Sequence, residues 1–183
     1  MKLLSLVRDQ KGAAAVEMVL VTPFLLAVMF GSVEVGNFFL SEHALEKQVR
    51  DGARYAARLG LANPYSCPGS VFADPDATTH IINVTQTGAV TGSGFARWSP
   101  GYWARTCGND TQSVTVTVSC VAKTSIDTEG TGDSGIYTGL AGTDIPVVTV
   151  AARVKYPSVL STLGFNAVNV CMTAESKAAV QGI

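Results

Sequence analysis

Charge is what this sequence has least of. Asp, Glu, Lys and Arg make up 15% of the chain, and thirteen basic side chains against fourteen acidic ones leave a formal net charge of −1. That balance leaves no basic footprint for a nucleic acid. Histidine is almost missing, with only His43 and His80, and the cysteines Cys67, Cys107, Cys120 and Cys171 include no C-x-x-C pair. A zinc site is therefore poorly supported, and no metal or cofactor is expected. Past residue 60 the chain is rich in Gly, Thr, Ser and Val and poor in charge. This composition suits a β-rich extracytoplasmic domain better than a soluble cytosolic enzyme.

One long apolar run is present. From Ala13 to Val33 the only interruptions are Glu17, Ser32 and the Thr22-Pro23 pair. As a helix the run rises about 32 Å, close to the roughly 30 Å hydrocarbon thickness of a bilayer. A carboxylate inside such a run is costly and calls for a function. The alternative for Glu17 is a carboxylate near the interface that is simply hydrated or protonated. Lys2, Arg8 and Lys11 against Asp9 form a short positive flank, which stays cytoplasmic and sends the chain beyond the apolar run across the membrane. All four cysteines lie beyond the run, and their even number reads as two disulfides in an oxidising compartment. A cleaved secretory signal is the competing interpretation. Against it, no A-x-A-like site lies after the run, Glu17 interrupts it, and helical patterning continues past residue 40.

Residues 13 to about 59 read as one helix with two characters. Its first half is apolar all round, with Pro23 expected to kink or loosen it. In its second half Leu45, Val49, Ala53, Ala56 and Leu59 share one face, while Glu46, Arg50, Arg54 and Arg58 share another that is most simply solvated. Gly60 and Asn63-Pro64 end the helix, and a proline-bearing loop runs to residue 75. Asp74-Pro75-Asp76 has the form of a helix start, continued at helical spacing by Ala77, Ile81 and Val84 and stopped by Gly88, although the β-branched content keeps a strand in competition. The glycine-rich stretch 88–111 carries Phe95, Trp98, Tyr102 and Trp103. Such aromatics form either a contact surface or the cover of a small core. Strands are expected at 113–121, at 146–156 and within 166–179, with Val159, Leu160 and Leu163 in the joining segment apolar enough to pack down.

These elements specify an α+β chain, with a long N-terminal helix packed on a small antiparallel sheet of three or more strands and stapled by disulfides. Four cysteines allow three connectivities. The preferred one joins Cys120 with Cys171 and Cys67 with Cys107, the first bridge requiring the first and third strands to be neighbours or joined through end loops. The loop 123–144 is long enough to be functional or mobile. Its Gly132-Asp133-Ser134-Gly135 spells the nucleophile string of trypsin-like proteases, but Ile136 and Tyr137 come next where Gly-Pro is expected, and neither histidine sits in a recognisable motif. A triad needs three groups in hydrogen-bond reach, so the match is read as chance and no catalytic residue is assigned. Asp127, Glu129, Asp133 and Asp144 lack the spacing of an EF-hand and read as a solvated loop.

Gly12-Ala13-Ala14-Ala15-Val16-Glu17-Met18, after a short basic leader, resembles the processing site of type IV pilin-like proteins. The resemblance implies cleavage by a prepilin peptidase between Gly12 and Ala13, and a Glu17 that neutralises the new amine of a neighbouring subunit. GAAAVEMVLVTPFLLAVMFGSVEVGNFF and the later VRDGARYAARLG are similar to the TadE-like proteins of the tight adherence pilus system. Glu34 and Gly36, expected to serve helix packing or a secondary assembly contact, are typical of that family, as is the string from Arg50 to Ala56. The likeness covers the first 60 residues well. The segment PSVLSTLGF also fits the family, and residues 61–144 carry no signature of it. TadG-like relatives are longer, with an added large domain for which 183 residues leave no room, and the major pilins are far shorter. Together these imply a minor pilin or pseudopilin, and no enzyme.

The expected organisation is a cytoplasmic leader over 1–12, a transmembrane and assembly helix over 13–60, and an exported domain over 61–183. The expected setting is a single pass through the inner membrane with the amino end inside, ahead of incorporation into an extracellular pilus. The implied partners are the prepilin peptidase, other minor pilins or pseudopilins, the major pilin, the inner-membrane assembly platform and inner-membrane lipid, with no nucleic acid. The alternative role is an adhesin displayed on the pilus through the aromatic and glycine-rich loops. Asn83-Val-Thr and Asn109-Asp-Thr match the glycosylation sequon but are discounted for a bacterial protein.

Overall fold

The computed structural model describes residues 12–59, 65–67, 71–72, 74–98, 100–103, 113–126, 130, 135–138, 143–163 and 170–181. Its element order is α1 (Ala13–Arg58), β1 (Tyr65–Ser66), β2 (Val71–Phe72), α2 (Pro75–Thr87), α3 (Pro100–Trp103), β3 (Val114–Ala122), β4 (Asp144–Lys155) and β5 (Cys171–Ala179). Short 3-10 turns occupy Lys123–Ser125, Gly135–Tyr137 and Leu160–Leu163. The chain divides into two compact units, Met1–Phe39 with Ser158–Ala167, and Leu40–Pro157 with Val168–Ile183.

In the first unit α1 is an apolar rod. None of residues 12–33 is buried, and Val19, Phe24 and Val28 are 71%, 75% and 72% exposed. This segment is long and apolar enough to cross a membrane. Its two hydroxyls are satisfied by their own helix: Thr22 Oγ1 donates to Met18 O at 2.5 Å and Ser32 Oγ to Met29 O at 2.8 Å. Such back-bonding is what a lipid-exposed hydroxyl needs where no water is at hand. Pro23 lies inside the helix without ending it.

In the second unit α1 turns one stripe inward. Ser41, Leu45, Val49, Gly52, Ala53 and Ala56 are buried, matching the three- and four-residue spacing expected from the sequence. Arg50, Arg54 and Arg58 are exposed, so the arginine stripe is a solvated face. The local pairs His43–Glu46 at 3.8 Å and Arg54–Asp51 at 3.9 Å lie on the surface, where such pairs add little. Small size matters at Gly52. A Cβ there would overlap Thr85 Oγ1 and lie 3.2 Å from Thr85 Cβ, so glycine is what lets α1 approach α2.

The second helix forms as its punctuation dictates. Asp74 is the N-cap, accepting from Asp76 N at 2.9 Å, Pro75 occupies the first turn, and Gly88 closes the helix in the left-handed region at φ 73° with its amide on Val84 O. Ala77, Ile81 and Thr85 are its buried face. The loop expected over 61–75 contains the two-residue pairing of β1 with β2, with Tyr65 opposite Phe72.

The sheet has the order β3-β4-β5, antiparallel throughout. Alternation along β4 sends Val148, Val150, Ala152 and Val154 inward. Register places Val118 opposite Val148 and Met172 opposite Val154, so one apolar layer runs across all three strands. Thr115, Thr117, Thr173, Glu175 and Lys177 line the outer face and are exposed. Beyond β5, Gln181 N donates to Ala57 O at 2.9 Å and ties the tail to the end of α1.

The preferred disulfide pairing is corrected. Cys120 bonds Cys67, with Cα atoms 5.9 Å apart. Three features of the sheet keep Cys120 from Cys171. Their strands are the two edges, with β4 between them. Cys120 lies opposite Pro146 and Cys171 opposite Lys155, at opposite ends of β4. That is about 30 Å of strand. The two positions on β4 also differ in parity, so the cysteines point to opposite faces. Cys171 is itself disulfide-bonded. Cys107 lies outside the described residues, as do Asp127, Glu129, Asp133 and Asn109.

Candidate functional site

The amino end of α1 is built from the smallest possible parts. Gly12 is the residue before the helix, and its carbonyl already accepts from Val16 N at 3.1 Å. That makes Gly12 the cap and Ala13, Ala14 and Ala15 the first helical positions. No acidic residue lies in the first turn to meet the positive end of the helix dipole. Glu17 comes one turn further on. It is exposed and, among the described residues, has no hydrogen-bond or ion-pair partner. With Thr22 and Ser32 bonded to their own backbone, Glu17 is the one side chain of the apolar rod with uncommitted hydrogen-bonding capacity. At helical spacing it shares a stripe with Ala13, Leu20, Val21 and Phe24, so its immediate neighbours are a small residue and lipid-like ones.

This arrangement has a definite chemistry. A peptide bond after Gly12 is flanked by residues without bulk, and hydrolysis there would remove the cap and create an ammonium where the dipole is already positive. Both changes raise the demand for an anion at that end. A carboxylate in an apolar surrounding carries the complementary demand for a cation.

Glu34 makes a contact that the sequence did not announce. Its Oε2 accepts from Val159 N at 3.1 Å and Leu160 N at 3.2 Å. It caps the 3-10 turn Leu160–Leu163 from outside, giving a carboxylate to the turn's first amide and to the amide just before it. The partners are 125 and 126 residues away, and the only hint of them in the sequence is an apolar PSVLSTL segment that begins at Pro157. Gly36 is exposed, and a Cβ there would meet nothing within 4 Å, so among the described residues its small size serves no contact.

The aromatic residues divide. Trp98 and Trp103 are 3% and 5% exposed and meet edge to face at 5.7 Å between ring centroids, with the Arg97 guanidinium 5.7 Å above the Trp98 ring. They belong to the core of the second unit, and the contact-surface interpretation is corrected for both: buried indoles cannot meet a partner. Tyr102 is half-buried beside them. Phe95 stands in solvent. Among the described residues no cluster of His, Cys, Asp or Glu is arranged to hold a metal ion.

No curated protein and no solved structure matches the chain. Residues 12–54, the stretch that holds Gly12, Glu17, Glu34 and Gly36, match the family described as TadE-like protein, so over this segment the chain is similar to that family.

Proposed function

We propose that the protein is a minor pilin, cleaved by a prepilin peptidase between Gly12 and Ala13, held in the inner membrane by residues 13–33 and taking part in assembly of a tight adherence pilus. The observation that carries this is the apolar rod itself: an exposed helix with one uncommitted carboxylate, placed one turn after a glycine-capped start. A helix of that kind is at rest only in lipid or among similar helices, where close packing and a few polar contacts supply the attraction. The new ammonium of Ala13 is the natural cation for a neighbouring subunit's Glu17, and pairing them satisfies both costs at once. The domain beyond α1 is carried outside, where its cysteines oxidise. It catalyses nothing. It contributes contacts to other minor pilins, the major pilin and the assembly platform at the start, tip or base of the fibre.

Intact-mass analysis of the protein from peptidase-positive cells tests the maturation step. The expected species begins at Ala13, and Gly12→Val accumulates the full-length chain. A parent protein that retains Met1–Gly12 in those cells overturns the proposal.

A further inference from the structure

Between β4 and β5 the chain returns to the apolar helix, and residues 158–163 pack in the same unit as its membrane-length segment. Glu34 lies 21 positions after Ala13, about 31 Å along the axis, which is one hydrocarbon thickness. The turn is therefore fastened at the height where the far boundary of a bilayer falls. Its composition fits that height. Val159 is 43% exposed, and Val35, Phe39 and Leu40 continue the exposed apolar band of the helix there. Several of its polar groups are met without solvent, Val159 N and Leu160 N by Glu34 and Ser161 Oγ by Ser158 O at 2.6 Å, while the buried Ser158 Oγ has no partner among the described residues. Backbone amides entering a poorly hydrated layer need such partners, and a carboxylate at that depth needs donors.

We propose that residues 158–163 form a second membrane contact, an interfacial turn seated in the outer headgroup layer and held against α1 by Glu34, so that the protein touches the bilayer at two points far apart in sequence. The occupant of this surface is lipid. The proposal rests on the anchor role of residues 13–33.

The test uses the full chain in nanodiscs of phosphatidylethanolamine and phosphatidylglycerol doped with a lipid that carries a diazirine high on its acyl chain, with labelled peptides mapped by mass spectrometry. Label is expected on the peptide holding 158–163 as well as on α1, and none on the outer face of β3. Glu34→Ala is expected to remove most label from the turn while α1 stays labelled. It is also expected to speed hydrogen exchange at Val159 and Leu160 by roughly tenfold or more, as lost protection of a local structure does. Label on α1 with none on the turn overturns the interfacial contact alone. An unlabelled α1 overturns the anchor role and this proposal with it. A turn that keeps its label and its slow exchange in Glu34→Ala overturns the clasp.

Discussion

Gly52→Ala sets two physical effects against each other. On helix propensity alone, alanine should stabilise α1 by about 1 kcal/mol. The packing says otherwise. The added Cβ overlaps Thr85 Oγ1, lies 3.2 Å from Thr85 Cβ and 3.6 Å from Ile81 O. Thr85 is fully buried, and its hydroxyl donates to Ile81 O at 2.8 Å. Rotating Thr85 away breaks that bond and leaves a buried hydroxyl unpaired, at about 1–3 kcal/mol. Rotation also leaves the Cβ–Cβ contact in place, so the helices must part slightly, an overpacking cost of about 1–3 kcal/mol. The net expectation is a loss of roughly 1–5 kcal/mol once the propensity gain is subtracted. Urea unfolding of the detergent-solubilised, oxidised protein measures it, with the buried pair Trp98 and Trp103 as the fluorescent reporters. Thr85→Ala in the same background removes the obstructing oxygen, so the double variant should recover at least about 1 kcal/mol relative to the sum of the singles. A Gly52→Ala protein as stable as its parent, or a strictly additive cycle, would refute the close approach of α1 and α2 at this point.

Non-reducing digestion should yield a cross-linked peptide joining Cys67 and Cys120, and a peptide joining Cys120 and Cys171 would contradict the strand order. Cys67→Ser opens a loop spanned by a sequence separation of 53, for which chain entropy gives a loss of about 4 kcal/mol by the same urea assay. Asp74→Ala removes the acceptor for Asp76 N and should lower stability by about 1 kcal/mol; an unchanged midpoint would mean the cap is idle. Glu17→Ala should leave cleavage after Gly12 largely intact while pilus number falls sharply by electron microscopy, and normal piliation would refute the pairing role.

Whatever is decided locally was legible in the sequence. Asp74-Pro75 and Gly88 bracket α2 because a cap, a fixed φ and a left-handed residue act within one turn. The alternation of β3 and β4 is equally local, since burial on one face imposes period two. The family segment was legible for the same reason, because Gly12, Ala13 and Glu17 lie within two turns of helix. The features that escaped were decided by register and by returns of the chain. The disulfide depended on β4 lying between β3 and β5, which no property of Cys120 or Cys171 encodes. The Trp98–Trp103 pair left two interpretations open, because an aromatic loop reads alike whether its rings face in or out. Glu34 could be picked out through the family resemblance, while its partners Val159 and Leu160 contribute backbone amides, which carry no side-chain signature.

The internally bonded hydroxyls of Thr22 and Ser32 have a consequence for sliding. Two smooth rods lying side by side in oil have no preferred offset along their length, since every displacement trades one greasy contact for another. A rod with several exposed polar points would have several offsets of similar energy and would jam among them. Here the hydroxyls are withdrawn and a single carboxylate is left outward, so the rod has one notch. In the assembly proposed above, a neighbour would settle against it at one height, and a slip of one helical turn, about 5.4 Å, would leave that notch empty. The two quiet hydroxyls thus act as erased marks on a ruler, and what remains legible to a neighbour is a single graduation.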